Sequence, residues 1–182
     1  MINLFRFLQF KTFYLALALV AIAANASAYQ KNTHNIDEEY LKIAFISKFI
    51  KYIDNNWNHY NEYNLCILGD NKNLNQISMR FSVPPINNKK FIITPNLNKE
   101  NITKNKCNIL YFSKYYRDDP KEILEKNYQL LSIGDLRYFT DNGGIIEFFN
   151  YRGKIRFKIN DVAAKKANIE FNSKLLELGE IR

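Results

Sequence analysis

The sequence holds only two histidines, His34 and His59, and two cysteines, Cys66 and Cys107. The histidines do not stand at metal-ligand spacing, and two cysteines joined to each other leave no zinc set. No resident metal and no cofactor are therefore expected. Glycine is scarce too, with six residues in all. None falls in a G-x-G-x-x-G run or a Walker loop, and no G-x-S-x-G elbow of a serine hydrolase is present. The one double glycine stands in DNGGIIEFFNYRGKIRFKIN, Asp141 to Asn160. A phosphate-cradling loop must open a helix, whose first free N-H groups hold the phosphate. Gly143 and Gly144 are followed instead by Ile145, Ile146, Glu147, Phe148 and Phe149, β-branched and aromatic types that read as strand. They are turn punctuation. Ile155, Phe157 and Ile159 alternate with Arg156 and Lys158 in a second strand, and Asn150 to Lys154, with Gly153, suit a hairpin loop of roughly three to five residues.

No acidic residue occurs before Asp37. Arg6 and Lys11 form a basic start, Thr12 to Ala24 is an apolar run, and Ala26-Ser27-Ala28 has the form that signal peptidase reads. The run is shorter than the roughly 20 apolar residues that span a bilayer. Residues 1–28 are thus expected to be a cleaved signal peptide. Residues 29–182, roughly 150 in number, are expected to form one domain with an adequate core. The formal net charge is +8, and two of its contributors, Arg6 and Lys11, lie in the leader. The remaining basic surface suits solubility, an acidic partner or the anionic face of a membrane. The lysines are scattered among asparagines with no basic stripe, so nucleic acid is not expected as a partner. An even cysteine count in an exported chain points to one disulfide, which would close a loop of about 40 residues and stabilise by roughly 4 kcal/mol. Two buried free thiols are the alternative.

A helix is expected from about Ile36 to Ile53, with Leu41, Ala44, Phe45, Lys48, Phe49, Tyr52 and Ile53 on one face and Lys48 snorkelling at its edge. Asp37, Glu38 and Glu39 would sit in its first turn, where the dipole favours acids. An asparagine-rich loop with Trp57 and His59 follows. Four short apolar runs read as strands: Tyr63 to Asp70, Phe91 to Thr94, Cys107 to Ser113 and Gln129 to Asp135. A short helical or turn segment, Leu74 to Phe81, and a helical stretch, Pro120 to Asn127, separate them. Continuously apolar strands alternating with polar or helical stretches argue for a parallel sheet covered on both faces. The fold class expected is therefore α/β, a single Rossmann-like domain with a mainly parallel sheet and a C-terminal antiparallel hairpin at its edge. The 2-1-3 strand order common in doubly wound sheets would make the strands carrying Cys66 and Cys107 neighbours. Asp161 would cap a final helical region, Asp161 to Arg182, in which Val162, Ala163, Leu175, Leu176 and Leu178 offer apolar contacts.

Gly69-Asp70 and Gly134-Asp135 close two of these strands. Open α/β sheets bind ligands at the carboxyl ends of their strands, so these four residues form a candidate ligand crevice. The two acids there would serve a hydrolase as a carboxylate pair, or simply begin turns by bonding nearby backbone.

The segments LKIAFISKFIKYIDNNW, LCILGDN, CNILYFS, LLSIGD, NGGIIEFF, GKIRFKIN and NSKLLEL resemble, in sequence and order, the YfiR-like family of exported bacterial proteins. The likeness runs from about Glu39 to Leu178 and is strongest from Gly143 onward. It implies a Rossmann-like domain in the periplasm, often a homodimer. It also implies a binding protein, not an enzyme, since the best-known members repress an inner-membrane diguanylate cyclase by binding its periplasmic sensor region. An outer-membrane, peptidoglycan-binding lipoprotein sequesters those members and relieves the repression. Cys66 and Cys107 match positions of a family disulfide. Some members carry a second bridge near the hairpin, where this chain has no cysteine.

The function expected is a periplasmic negative regulator of a membrane-anchored diguanylate cyclase, acting in cyclic di-GMP signalling. Tyr151, Arg152 and Arg156 on the hairpin are candidate partner contacts, because aromatics and arginine are favoured at interfaces. The alternatives are a small-ligand sensor using the crevice with another membrane partner, and a hydrolase using its acids.

Overall fold

A computed structural model describes residues 38–54, 57, 59–70, 76–79, 81 and 84–181. The expected signal peptide and His34 lie outside these residues. The chain divides into two units, Met1–Glu39 and Tyr40–Arg182. Of the first, residues 38 and 39 are described, and both are helical. The second carries the fold.

Seven strands form one sheet in the order β2-β1-β3-β4-β5-β6-β7. They are β1 (Glu62–Leu68), β2 (Lys90–Thr94), β3 (Ile109–Phe112), β4 (Leu131–Gly134), β5 (Ile146–Tyr151), β6 (Lys154–Ile159) and β7 (Glu180–Ile181). Pairings from β2 through β5 are parallel, β5 and β6 are antiparallel, and β7 runs parallel to β6. The helices are α1 (residues 38–49), α2 (residues 76–79), α3 (Lys121–Lys126), α4 (Asp161–Lys166) and α5 (Ser173–Leu178). This is the expected Rossmann-like α/β sheet with a C-terminal hairpin.

Both faces of the central strands are covered, which is why β3 and residues 65–68 of β1 read as unbroken apolar runs instead of alternating, while β4 admits the buried Ser132, whose Oγ accepts from Ile145 N-H at 3.1 Å. On one face Cys66, Leu68, Leu110 and Phe112 join Ile123 and Leu124 of α3. On the other, Phe49 of α1 meets Phe148 and Phe157, and Phe148 in turn meets Tyr111. Cys66 and Cys107 are joined in a disulfide with their Cα atoms 5.8 Å apart. Cys107 precedes β3 by a short step, so the bridge runs diagonally from β1 to the entry of its neighbour.

Three local expectations are corrected. The buried residues of α1 are Glu39, Lys42, Ile43, Ile46 and Phe49, continued by Ile50 in the following turn, while Leu41 and Lys48 are exposed. This helix is apolar almost all round, so spacing alone admitted more than one stripe, and the sheet selected the isoleucines. The hairpin loop is a two-residue turn, Arg152-Gly153, between the paired residues Tyr151 and Lys154. Both turn residues have positive φ, 51° and 75°, the conformation that matches the strands' right-handed twist. The last helical region is two helices and then the short strand β7, the helices being capped by Asn160 and Asn172, whose side chains accept from the N-H groups of Ala163 and Leu175. Asn168 at φ 57° breaks the first helix, and Phe171 then bridges to Ile53. Asp161 pairs with Lys165 one turn on, at 2.6 Å.

Candidate functional site

The sheet reverses its winding between β1 and β3, because the chain leaves β1 for β2 on one side and returns for β3 on the other. Loops that diverge at such a point leave a crevice beyond the strand ends. A cavity of about 410 Å³ lies there, lined by residues 68–70 after β1, 96–100 after β2 and 115–118 after β3. Backbone bonds hold the three loops. Leu97 N-H donates to the Ile67 carbonyl at 2.9 Å, and Ser113 donates to the Leu68 carbonyl from both N-H and Oγ, each at 3.0 Å. Gly69 is required where it stands. Its φ is +115°, and a Cβ would fall 2.3 Å from Ser113 Oγ and 2.7 Å from Tyr116 N.

Tyr115 and Tyr116 give this cavity aromatic surface. Tyr116 meets Phe112 edge-on at 5.2 Å, and Lys114 Nζ lies 5.5 Å from the Tyr115 ring centre. Burial pushes the Tyr116 hydroxyl above its ordinary pKa, and the negative charges of Asp118, Asp119, Glu122 and Glu100 push it further. Lys99 pairs with Glu122 at 3.3 Å, and Glu122 also accepts from Lys126 at 2.8 Å. These two lysines hold the Glu122 carboxyl below its usual range, Lys126 first.

Of the residues anticipated from sequence, Gly69 and Asp70 line this cavity and Gly134 and Asp135 do not. β3 lies between β1 and β4, which sets the two tips roughly 10 Å apart at normal strand spacing. Gly134 is covered by Phe139, whose ring would lie 2.3 Å from a Cβ added there. Asp135 Oδ2 accepts from Lys42 Nζ at 2.5 Å. Sequence reading missed Tyr115, Tyr116 and Arg117. Their signal was position, since "KYYRDD" follows directly on an apolar strand.

The hairpin residues do come together. Tyr151 is half exposed and the Arg152 guanidinium lies 5.2 Å from its ring centre. Register places Tyr151 opposite Lys154, Phe149 opposite Arg156 and Glu147 opposite Lys158, all on one sheet face. Lys158 Nζ lies 5.2 Å from the Phe149 ring centre. The face therefore alternates aromatic and cationic groups, and Phe149, Lys154 and Lys158 extend the set read from sequence. Glu147 beneath them is buried and satisfied, accepting from Thr140 N-H at 3.1 Å, Thr140 Oγ1 at 2.9 Å and Lys158 at 3.4 Å.

Gly143 and Gly144 introduce β5, not a helix. Gly143 has φ +93° in open space, and Gly144 lies under Phe139, whose ring would be 2.1 Å from a Cβ. Among the described residues, no group of three or more His, Cys, Asp or Glu is placed to hold a metal ion. No described helix is long and apolar enough to cross a membrane.

The fold and its crevice define a Rossmann-like α/β domain, wound about a switch-point cavity and extended by an aromatic and cationic hairpin. The chain belongs to the YfiR/HmsC-like family, whose model matches residues 39–180, a family known for periplasmic regulators. Among solved structures it is similar to a "conserved domain protein" from Vibrio cholerae O1 biovar El Tor, with a TM-score of 0.46 and 10% sequence identity. That match covers 79% of this chain and 60% of the Vibrio chain. No curated protein matches the sequence significantly.

Proposed function

We propose that this protein is an exported regulator, not an enzyme, which acts in the periplasm on the sensor region of a membrane-anchored diguanylate cyclase. The match to the YfiR/HmsC-like family over residues 39–180 carries this reading. The mechanism is differential binding: the regulator prefers the inactive arrangement of the sensor and shifts its population that way, lowering cyclic di-GMP. Tyr151, Arg152 and Arg156 supply the contact surface, a basic and aromatic face suited to an acidic partner. A peptidoglycan-binding lipoprotein that takes up the regulator would relieve the repression, and a homodimer is the form expected to act. The test is cellular cyclic di-GMP in a deletion strain complemented with the exported protein or with a version lacking residues 1–28. A rise on deletion, reversed only by the exported form, supports the reading. Unchanged cyclic di-GMP while the protein is abundant overturns it.

The switch-point cavity favours a second reading, a small-ligand sensor with another membrane partner. A ligand that binds only the folded state must raise its stability, so ligand-dependent thermal stabilisation tests it. The distance between Asp70 and Asp135, and the engagement of Asp135 by Lys42, speak against a hydrolase built on that pair.

A further inference from the structure

We infer that the outer edge of β6 accepts an added strand, an extended peptide segment of the partner in which acidic and apolar residues alternate. This deepens the reading of the hairpin as the partner-contact surface and rests on it.

The turn decides which backbone groups are open. In a two-residue hairpin the residues flanking the turn, Tyr151 and Lys154, exchange both hydrogen bonds, and two steps on so do Phe149 and Arg156. Ile155 and Phe157, the intervening residues, therefore aim their backbone groups away from β5. β7 pairs with that outer edge at Lys158 and Ile159. Among the described residues no strand pairs with Ile155 on that side. Open N-H and C=O groups along an extended edge are a template for another strand.

The side chains state what that strand must carry. Lys154 and Arg156 stand exposed on one face of β6, and the residues paired with them on β5 are the uncharged Tyr151 and Phe149. Among the described residues neither cation has an ion-pair partner, whereas Lys158 has Glu147. On the opposite face Ile155 is half-buried and Phe157 is buried. Successive side chains of an added strand fall beside these two rows in turn. Carboxylates on the first face supply the charge that β5 does not, and apolar groups on the second cover Ile155. A second copy of this chain does not fit. Antiparallel pairing of two β6 edges about Ile155 would set Lys154 of one copy opposite Arg156 of the other, and like charges directly opposite repel. The same cations thus oppose self-association and admit an acidic strand.

Fluorescence anisotropy of labelled peptides with the purified exported protein, at low ionic strength, tests the inference. The probes are Glu-Val-Glu-Val-Glu, Lys-Val-Lys-Val-Lys, and the first peptide N-methylated either on its valines or on its glutamates. N-methylation keeps every side chain and removes the N-H donors of one strand edge. Ile155→Pro removes the outward donor of β6, a change that edge strands tolerate. Saturable binding of the Glu-Val peptide is expected, at least about tenfold tighter than that of the Lys-Val peptide. At least one N-methylated version, and the Ile155→Pro protein, should lose as much. Absent binding, or binding that both N-methylated peptides retain, overturns the inference, and these peptides decide alone if Ile155→Pro does not fold. Cellular cyclic di-GMP separates the two readings. If a Lys154→Glu, Arg156→Glu variant loses repression while Ile155→Pro keeps it, strand addition is overturned and the hairpin surface stands. Repression kept by both variants overturns both.

Discussion

Lys42 on α1 donates from Nζ to Asp135 Oδ2 at 2.5 Å, with the lysine side chain almost wholly buried. The pair pins the helix to the tip of β4 and removes Asp135 from the surface that could meet a ligand. Asp135→Leu removes one partner of the buried Lys42 ammonium, and a loss of about 1–3 kcal/mol is expected in urea unfolding. The double variant Lys42→Met, Asp135→Leu should recover part of that loss, since both members of this pair leave together. A double variant as unstable as the single one would mean that the pair does not supply the coupling.

The Cys66–Cys107 bridge spans a sequence separation of 41 and sits in the core facing α3. Replacing both cysteines by alanine should cost about 4 kcal/mol, part of it from constraint lost by the unfolded chain. For a domain of this size that corresponds to a melting temperature lower by on the order of 10 °C. Calorimetry of the oxidised wild type, the reduced wild type and the double variant checks it, and the latter two should melt close together.

The two glycines ahead of β5 should respond differently to substitution. Gly144→Ala drives a methyl into Phe139 and should destabilise by about 1–3 kcal/mol. Gly143→Asn keeps the left-handed conformation in open space and should cost less than about 1 kcal/mol. Chemical denaturation midpoints separate the two cases, and equal losses would contradict the packing assigned to Gly144.

Stability should fall with alkali. Tyr63 is buried, and burial raises its hydroxyl above the ordinary value of 10.0 against a smaller lowering by an Asn87 hydrogen bond. Burial raises Tyr60 and Tyr116 as well. The unfolded state then loses its protons first, so stability is full below pH 10.0 and declines as pH rises through the folded values. Tyr63→Phe should flatten this decline in urea midpoints measured across that range. An equally steep decline in the variant would exclude Tyr63 as a contributor.

Replacing Tyr151 and Arg156 by alanine and Arg152 by asparagine should leave stability within about 0.5 kcal/mol, because these side chains are exposed. Asparagine tolerates the positive φ at position 152 while removing the guanidinium. The repression of a diguanylate cyclase proposed for this protein should be lost in the same variant. Full repression by a normally folded variant would move the contact surface away from the hairpin.

The sheet itself was legible in the chain, because strands buried on both faces are apolar along most of their length. The runs at residues 65–68 and 109–112, and residues 131–133 with Ser132 as their one polar member, therefore announced a covered parallel sheet. The alternation of Ile155, Phe157 and Ile159 with charged residues likewise marked a strand lying at the margin of the sheet. The shared sheet face of Tyr151 and Arg156 follows from period-two spacing, but only once the two-residue turn is known. Tertiary structure alone decided the rest. Which stripe of α1 is buried depends on the surface it meets, and a helix apolar almost all round does not declare that. Asp70 and Asp135 end similar strands with the same Gly-Asp pair, yet one lines a cavity and the other binds Lys42. That difference comes from strand order, which brings the loops after β1, β2 and β3 together and leaves the tip of β4 to α1. Residues distant in sequence share a site only through such pairing, so local pattern could name the crevice's first two residues but not the tyrosines across from them.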